Sequence, residues 1–205
     1  MNFLKRFISS VSLIPLIIFI IYNGKWYFNF LIFLILTLGL MEIFKLKIFK
    51  LKLLILFLFL LFVFFSYKII YLDKGNFLFL GLLLISWLSD VGGYVFGKLI
   101  GGKKIKIISP NKTYSGFFGS IIFSQLSIFY FQIFDLEHYN HYYLNSIFLI
   151  FCSIIVIFGD LFFSYCKRLC EIKDYSNIIP GHGGLLDRID GLIFLIIFYY
   201  LFFTL

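Results

Sequence analysis

The sequence predicts an all-α polytopic integral membrane protein of about seven transmembrane helices with a cytoplasmic N-terminus. Three observations carry this. Of 205 residues, 62% are hydrophobic and only 14% charged, where soluble domains sit near half and a quarter. Mean hydropathy is +1.03. The apolar residues also fall into runs of roughly the 17–25 residues that cross a bilayer core. Length leaves room for one membrane domain over 1–205, with N-terminal helices in 1–88 and the chemistry-bearing helices and loops in 89–205.

The first run, 7–23, follows Lys5 and Arg6. No small-residue cleavage site follows and more apolar runs do, so it reads as a retained helix rather than a leader. The second run covers 26–44. The third, 53–72, is interrupted by Lys68, and the fourth covers 77–97. The fifth and sixth cover 115–134 and 143–166. The seventh, 185–205, is apolar only from Leu192, so it begins inside a polar stretch.

Laid on these spans, all of the 18 Lys and Arg except Lys25, Lys68 and Lys74 fall on one side. That asymmetry assigns the N-terminus and the loops after spans two, four and six to the cytoplasm. The net charge of +8 therefore needs no nucleic-acid partner; it suits anionic lipid and a bound anion. No internal repeat supports an inverted-repeat transporter. Cys152, Cys166 and Cys170 are odd in number and match no metal or disulfide pattern. His138 and His141 have no third ligand nearby and read as ordinary surface residues.

The densest polar run extends from Ser164 to Asp190 between almost wholly apolar flanks. Ionisable groups near membrane depth are costly and usually mark a site. On a continuous helix, Asp160, Ser164 and Lys167 with Arg168 share one face. Asp187 and Asp190 share a face if the seventh span starts by Leu185. Two acid-bearing helix ends joined by a Gly-rich turn suit Mg²⁺ held with phosphate oxygens and water. Between them lies Pro180-Gly181-His182-Gly183-Gly184. Its glycines admit close backbone approach to an anion, and it feeds a helix N-terminus, which favours phosphate. Lys167, Arg168, Lys173 and Arg188 supply the countercharge. Taken alone, Lys167 and Arg168 would be ordinary positive-inside residues; their crowding with acids and glycines argues otherwise.

A second polar stretch runs from Ser89 to Gly116. Asp90 lies deep in span four, where a carboxylate costs about 2.5–3.5 kcal/mol on insertion scales. It reads as a substrate-binding residue, the bland alternative being a hydrogen bond to a neighbouring helix. Gly97 to Lys104 mimics a P-loop, but Lys104 stands at the Ser/Thr position and no strand precedes it. Gly93, Gly97 and Gly101 repeat a helix-packing pattern. Lys103, Lys104 and Lys106 read as a surface patch. Ser109, Lys112 and Thr113 are polar enough to reach a phosphate from a loop, and Lys112 is the candidate for a lipid phosphate.

The run SYCKRLCEIKDYSNIIPGHGGLLDRID resembles the signature of the phosphatidate cytidylyltransferases, or CDP-diacylglycerol synthases. It holds S-x-x-K-R, K-D, H-G-G and D-R-x-D at that family's spacings, with Cys166 where a larger apolar residue is usual. SPNKTYSG at 109–116 is similar to a second family segment, with Tyr114 in place of Trp, and SDVGGYVFGK at 89–98 to its Asp-containing helix. The opening LKRFISSVSLIPLI and Glu42 at the end of span two also fit. The chain is shorter than typical bacterial members, the brevity lying before Asp90.

The resemblance implies CMP transfer from CTP to phosphatidate, releasing pyrophosphate, in phospholipid biosynthesis at the bacterial inner membrane. It implies Mg²⁺ on Asp160 and Asp187; a monovalent cation beside it and a homodimer are both compatible with the sequence. The remaining candidates for the reaction are Lys167, Arg168, Asp174, His182, Arg188 and Asp190. For substrate they are Asp90, Ser109, Lys112, Thr113, Ser164, Lys173, Gly183 and Gly184. Competing readings are a CTP-dependent polyprenol or phytol kinase, an ion-coupled transporter and an inactive scaffold. A CDP-alcohol phosphotransferase is disfavoured because its own acidic pattern is missing.

Overall fold

The computed structural model describes residues 14–104, 112–136, 141–176, 178 and 183–204. Lys106, Ser109, His138, Pro180, Gly181 and His182 lie outside the described residues. In chain order the helices are α1 (14–22), α2 (Lys25–Phe44), α3 (Phe49–Ile70) and α4 (Gly75–Leu99). They continue with α5 (Tyr114–Ser124), α6 (Ser127–Ile133), α7 (Tyr142–Leu169) and α8 (Leu186–Phe203). Among the described residues there is no strand; one isolated bridge joins Lys104 to Thr113.

Five segments are long and apolar enough to cross a membrane: α2, α3, α4, the pair α5–α6 as Tyr114–Ile133, and α7. They correspond to expected spans two to six. The first expected span is described only from residue 14. The seventh, α8, carries Asp187, Arg188 and Asp190 within its first five residues, and so falls outside that set of five. Large side chains such as Phe30, Phe33, Phe57, Phe64 and Phe129 are more than half exposed. Water would not tolerate that surface, but acyl chains solvate it. The core is built on fully buried Phe28, Phe59, Phe62, Leu82, Ile193 and Ile196.

The fifth span breaks where the sequence suggested one helix. The Ser124 and Ser127 hydroxyls donate to the carbonyls of Ile121 and Ser124 at 2.8 and 2.6 Å. The Gln125 and Leu126 amides bond only three residues back. Back-bonding hydroxyls and a tightened turn bend a helix at such a point. α7 has 28 residues, or about 42 Å at 1.5 Å per residue. It is longer than a hydrocarbon core of about 30 Å.

Two glycine crossings set the site. A Cβ on Gly92 would lie 2.3 Å from the Gly119 carbonyl oxygen, and one on Gly116 would lie 2.8 Å from that of Gly93. α4 and α5 therefore meet backbone to backbone, as small residues allow. Gly93 and Gly97 belong to this contact, whereas Gly101 lies beyond the end of α4 with nothing near its missing Cβ. At the second crossing, a Cβ on Gly159 would lie 2.9 Å from the Asp190 carbonyl oxygen, and one on Gly191 would lie 2.8 Å from Val156 Cγ1. α7 and α8 are thus pressed together where Asp160 and Asp190 sit.

Candidate active site

α7 ends in a Schellman turn. The Ile172 amide donates to the Lys167 carbonyl at 3.0 Å and the Glu171 amide to that of Arg168 at 3.1 Å. Glu171 is left-handed at φ 57°, a conformation more often given to glycine. This turn sends the chain back towards α8. The Tyr175 amide then donates to Asp187 Oδ2 at 2.9 Å. Lys167 Nζ meets Asp187 Oδ1 at 2.6 Å, the two side chains only 12% and 6% exposed. The same ammonium lies 5.6 Å from the centre of the Tyr175 ring. Tyr175 is buried and donates its hydroxyl to the Phe163 carbonyl at 3.3 Å. Burial pushes its phenol well above the ordinary tyrosine range.

The first turn of α8 has donors that no helical carbonyl can satisfy. Asp187 reaches back to the Gly184 amide at 3.0 Å, in the manner of a capping box. Glu42, on α2, accepts the Leu185 and Leu186 amides at 2.8 and 2.9 Å. It also accepts the Ser176 hydroxyl at 2.5 Å. At this helix start the Gly184, Leu185 and Leu186 amides are therefore held by two of the protein's own carboxylates. The positive helix end and the three amides draw carboxylates for the same reason they would draw phosphate.

A cavity of about 240 Å³ opens between α4, α5 and α7. Asp90, Lys112, Thr113 and Asp160 line it, with Gly93, Gly116 and Ser120 giving it room. Lys112 and Asp160 form an ion pair, their side chains 30% and 25% exposed. Gly159, the neighbour of Asp160, packs on the Asp190 carbonyl, so the cavity adjoins the first turns of α8. Among the described residues, no three His, Cys, Asp or Glu side chains gather closely enough to hold a metal by themselves. The carboxylates still suit Mg²⁺, which takes one or two from the protein and completes its shell with water and phosphate oxygens.

The expected site residues thus divide into two groups. Asp90, Lys112, Thr113 and Asp160 meet at the cavity. Lys167, Asp174, Gly183, Gly184 and Asp187 meet at the α7–α8 turn. Of the paired acids on α8, Asp187 turns to Lys167 and the turn amides, while the Asp190 backbone packs on Gly159, beside Asp160. Thr113 also caps α5, accepting the Gly116 amide at 3.1 Å. Ser164 is half-buried, and Arg168, Lys173, Asp174 and Arg188 are exposed. Tyr175, Ser176 and the carboxylate role of Glu42 were missed. For Glu42 the signals were its place at the end of an apolar span and its fit to the family resemblance; its partners lie more than 130 positions away.

A profile of the cytidylyltransferase family matches residues 47–205. A protein of Staphylococcus epidermidis named phosphatidate cytidylyltransferase is 41% identical over 133 residues, which cover 64% of this chain and 51% of that protein. A Staphylococcus haemolyticus protein of the same name is 38% identical over 133 residues, with the same coverage. One from Staphylococcus aureus is 41% identical over 127 residues, covering 60% and 47%. The chain spans about half the length of the curated relatives it matches. With more than three quarters of its residues inside the family profile, and both polar clusters among them, the chain belongs to the cytidylyltransferase family.

Proposed function

We propose that this chain transfers CMP from CTP to phosphatidate, giving CDP-diacylglycerol and pyrophosphate, at the cytoplasmic face of a bacterial inner membrane. A phosphate oxygen of phosphatidate bonds to the α-phosphorus of CTP. The bond from that phosphorus to the oxygen bridging to the β-phosphate breaks, and pyrophosphate leaves with the electron pair. The nucleophile belongs to the lipid, so no Ser or Cys nucleophile is needed. Catalysis is positioning and neutralisation of charge.

The observation that carries this reading is the cavity where Asp90, Lys112 and Asp160 converge inside a helical membrane bundle. At about 240 Å³ it lies below the roughly 300–1,000 Å³ of drug-sized sites. It suits a phosphate headgroup, with the nucleotide on the open side at the α7–α8 turn. Asp160 and Asp187 would hold Mg²⁺, which would neutralise the phosphate oxygens. Both carboxylates are answered here by lysines, Lys112 and Lys167. With the ion bound, Lys112 would be left to the lipid phosphate. Lys167, with exposed Arg168, Lys173 and Arg188, is left to the triphosphate. Arginines suit phosphate oxygens as bidentate partners, and lysine suits a mobile headgroup as a point charge.

The test uses purified protein, phosphatidate in mixed micelles, labelled CTP and Mg²⁺, following the lipid and the released phosphate species together. CDP-diacylglycerol and pyrophosphate in equal amounts support the reading. Release of CDP with a phosphorylated lipid would indicate γ-phosphoryl transfer instead, and no turnover would refute it.

A further inference from the structure

Glu42 is fully buried and lies outside the residues matched by the family profile. Its carboxylate accepts the Ser176 hydroxyl and the Leu185 and Leu186 amides. No lysine or arginine among the described ion pairs answers it. A buried charge without such donors would be strongly disfavoured, and an apolar residue there would pack at less cost. What the carboxylate adds is a tie between three parts of the chain. These are α2, the loop at Ser176 and the first turn of α8.

We infer that Glu42 is a positioning residue for the transferase site, an inference that rests on the function proposed above. It holds the start of α8 in the register that aims Asp187 at Lys167 and sets Asp190 beside α7. The charge-assisted bonds and the helix dipole act on the same two amides. Gly184 fits this role, because a Cβ there would lie 2.8 and 2.9 Å from the two carboxylate oxygens of Glu42. A side chain at 184 would push the carboxylate off the helix start. Glu42 touches no reacting atom in this account; it acts through α8.

The experiment uses the full chain in detergent micelles with Glu42→Ala, Glu42→Gln, Gly184→Ala and the Glu42→Ala/Gly184→Ala double variant. Hydrogen exchange at Leu185 and Leu186 should quicken by about tenfold or more in Glu42→Ala, the loss of a hydrogen bond to a charged acceptor. Exchange across 148–163 of α7 should not change. In the same variant kcat should fall by about tenfold or more while KM for phosphatidate, bound in the cavity between α4, α5 and α7, stays within about twofold. Glu42→Gln keeps one acceptor oxygen and should fall between wild type and Glu42→Ala on both readouts. It also preserves the test if Glu42→Ala fails to fold. Gly184→Ala should be slow alone yet add little to Glu42→Ala, since both act through one contact. Unchanged exchange at 185–186 overturns the inference, as does quickened exchange with wild-type kcat. If wild-type protein shows no turnover with CTP and phosphatidate, the proposed function fails. Exchange at 185–186 then decides by itself whether Glu42 holds α8.

Discussion

Replacing Asp187 by Asn tests whether the α7–α8 turn is held by a buried ion pair. Lys167 and Asp187 are 2.6 Å apart with side chains 12% and 6% exposed. Removing one member of such a pair costs about 3–5 kcal/mol, because the other charge stays buried. The Tyr175 ring, 5.6 Å from the ammonium, offsets about 1 kcal/mol of that. Asn keeps one oxygen for the amides of Tyr175 and Gly184, which Asp187 now holds at 2.9 and 3.0 Å. Both amides bond to Oδ2, so the Asn oxygen keeps them as neutral rather than charge-assisted bonds, adding about 1 kcal/mol. The net is about 3–5 kcal/mol, or roughly 6–20 °C in Tm for a chain of this size. Thermal unfolding can be followed with a thiol-reactive fluorophore, since Cys152, Cys166 and Cys170 are all free and buried. Adding Lys167→Met removes the stranded charge and should restore at least half of the loss. A fall of less than about 2 °C in Asp187→Asn, or further additive loss in the double variant, would refute the buried-pair argument.

Three other expectations follow from the same geometry. Lys112→Ala should raise KM for phosphatidate by about tenfold, the loss of one charge-assisted contact, and KM for CTP by much less; equal effects on both substrates would indicate general electrostatics. Gly92→Ala places a Cβ 2.3 Å from the Gly119 carbonyl oxygen. It should cost about 1–3 kcal/mol by overpacking, and an unchanged Tm would deny that α4 and α5 meet backbone to backbone. An impermeant thiol reagent applied from outside the cell should label a cysteine introduced at Tyr142 but not one at Lys173. The reverse pattern would overturn the orientation read from the lysine asymmetry.

The transmembrane helices were legible because lipid demands long apolar runs and little else in this chain resembles them. Helices α2 to α4 and α7 begin and end within about four residues of expectation. The break at Ser124–Ser127 was not legible, because it depends on hydroxyls turning back onto their own helix. The polar residues of the site were legible as a set, since charge in a greasy chain stands out. Their partition into a cavity group and a turn group was not. Which of them meet depends on the Gly92–Gly119 and Gly159–Gly191 crossings, contacts between residues that no local pattern links.

The start of α8 shows where local reasoning runs out. From sequence, glycines feeding a helix N-terminus suggest a seat for phosphate. The physics is sound, but it names the charge that will sit there and not its owner. Asp187 is within reach by helical spacing, so its capping of Gly184 could have been anticipated from the sequence alone. Glu42 is 143 positions from Leu185 and could not. Once these carboxylates hold the Gly184, Leu185 and Leu186 amides, an incoming phosphate meets side chains instead. Removing the Glu42 carboxylate should then have two opposed effects on an anion. It frees two amides that attract phosphate, and it loosens the helix that carries Arg188. If the first effect dominated, inorganic pyrophosphate would inhibit Glu42→Ala more strongly than wild type; if the second, less strongly. The fully buried carboxylate and its three donors favour the second, because a helix start that has lost its anchor no longer presents Arg188 to the anion in register. Pyrophosphate should therefore inhibit Glu42→Ala several-fold more weakly, and tighter inhibition would show that Glu42 shields an anion site rather than building one.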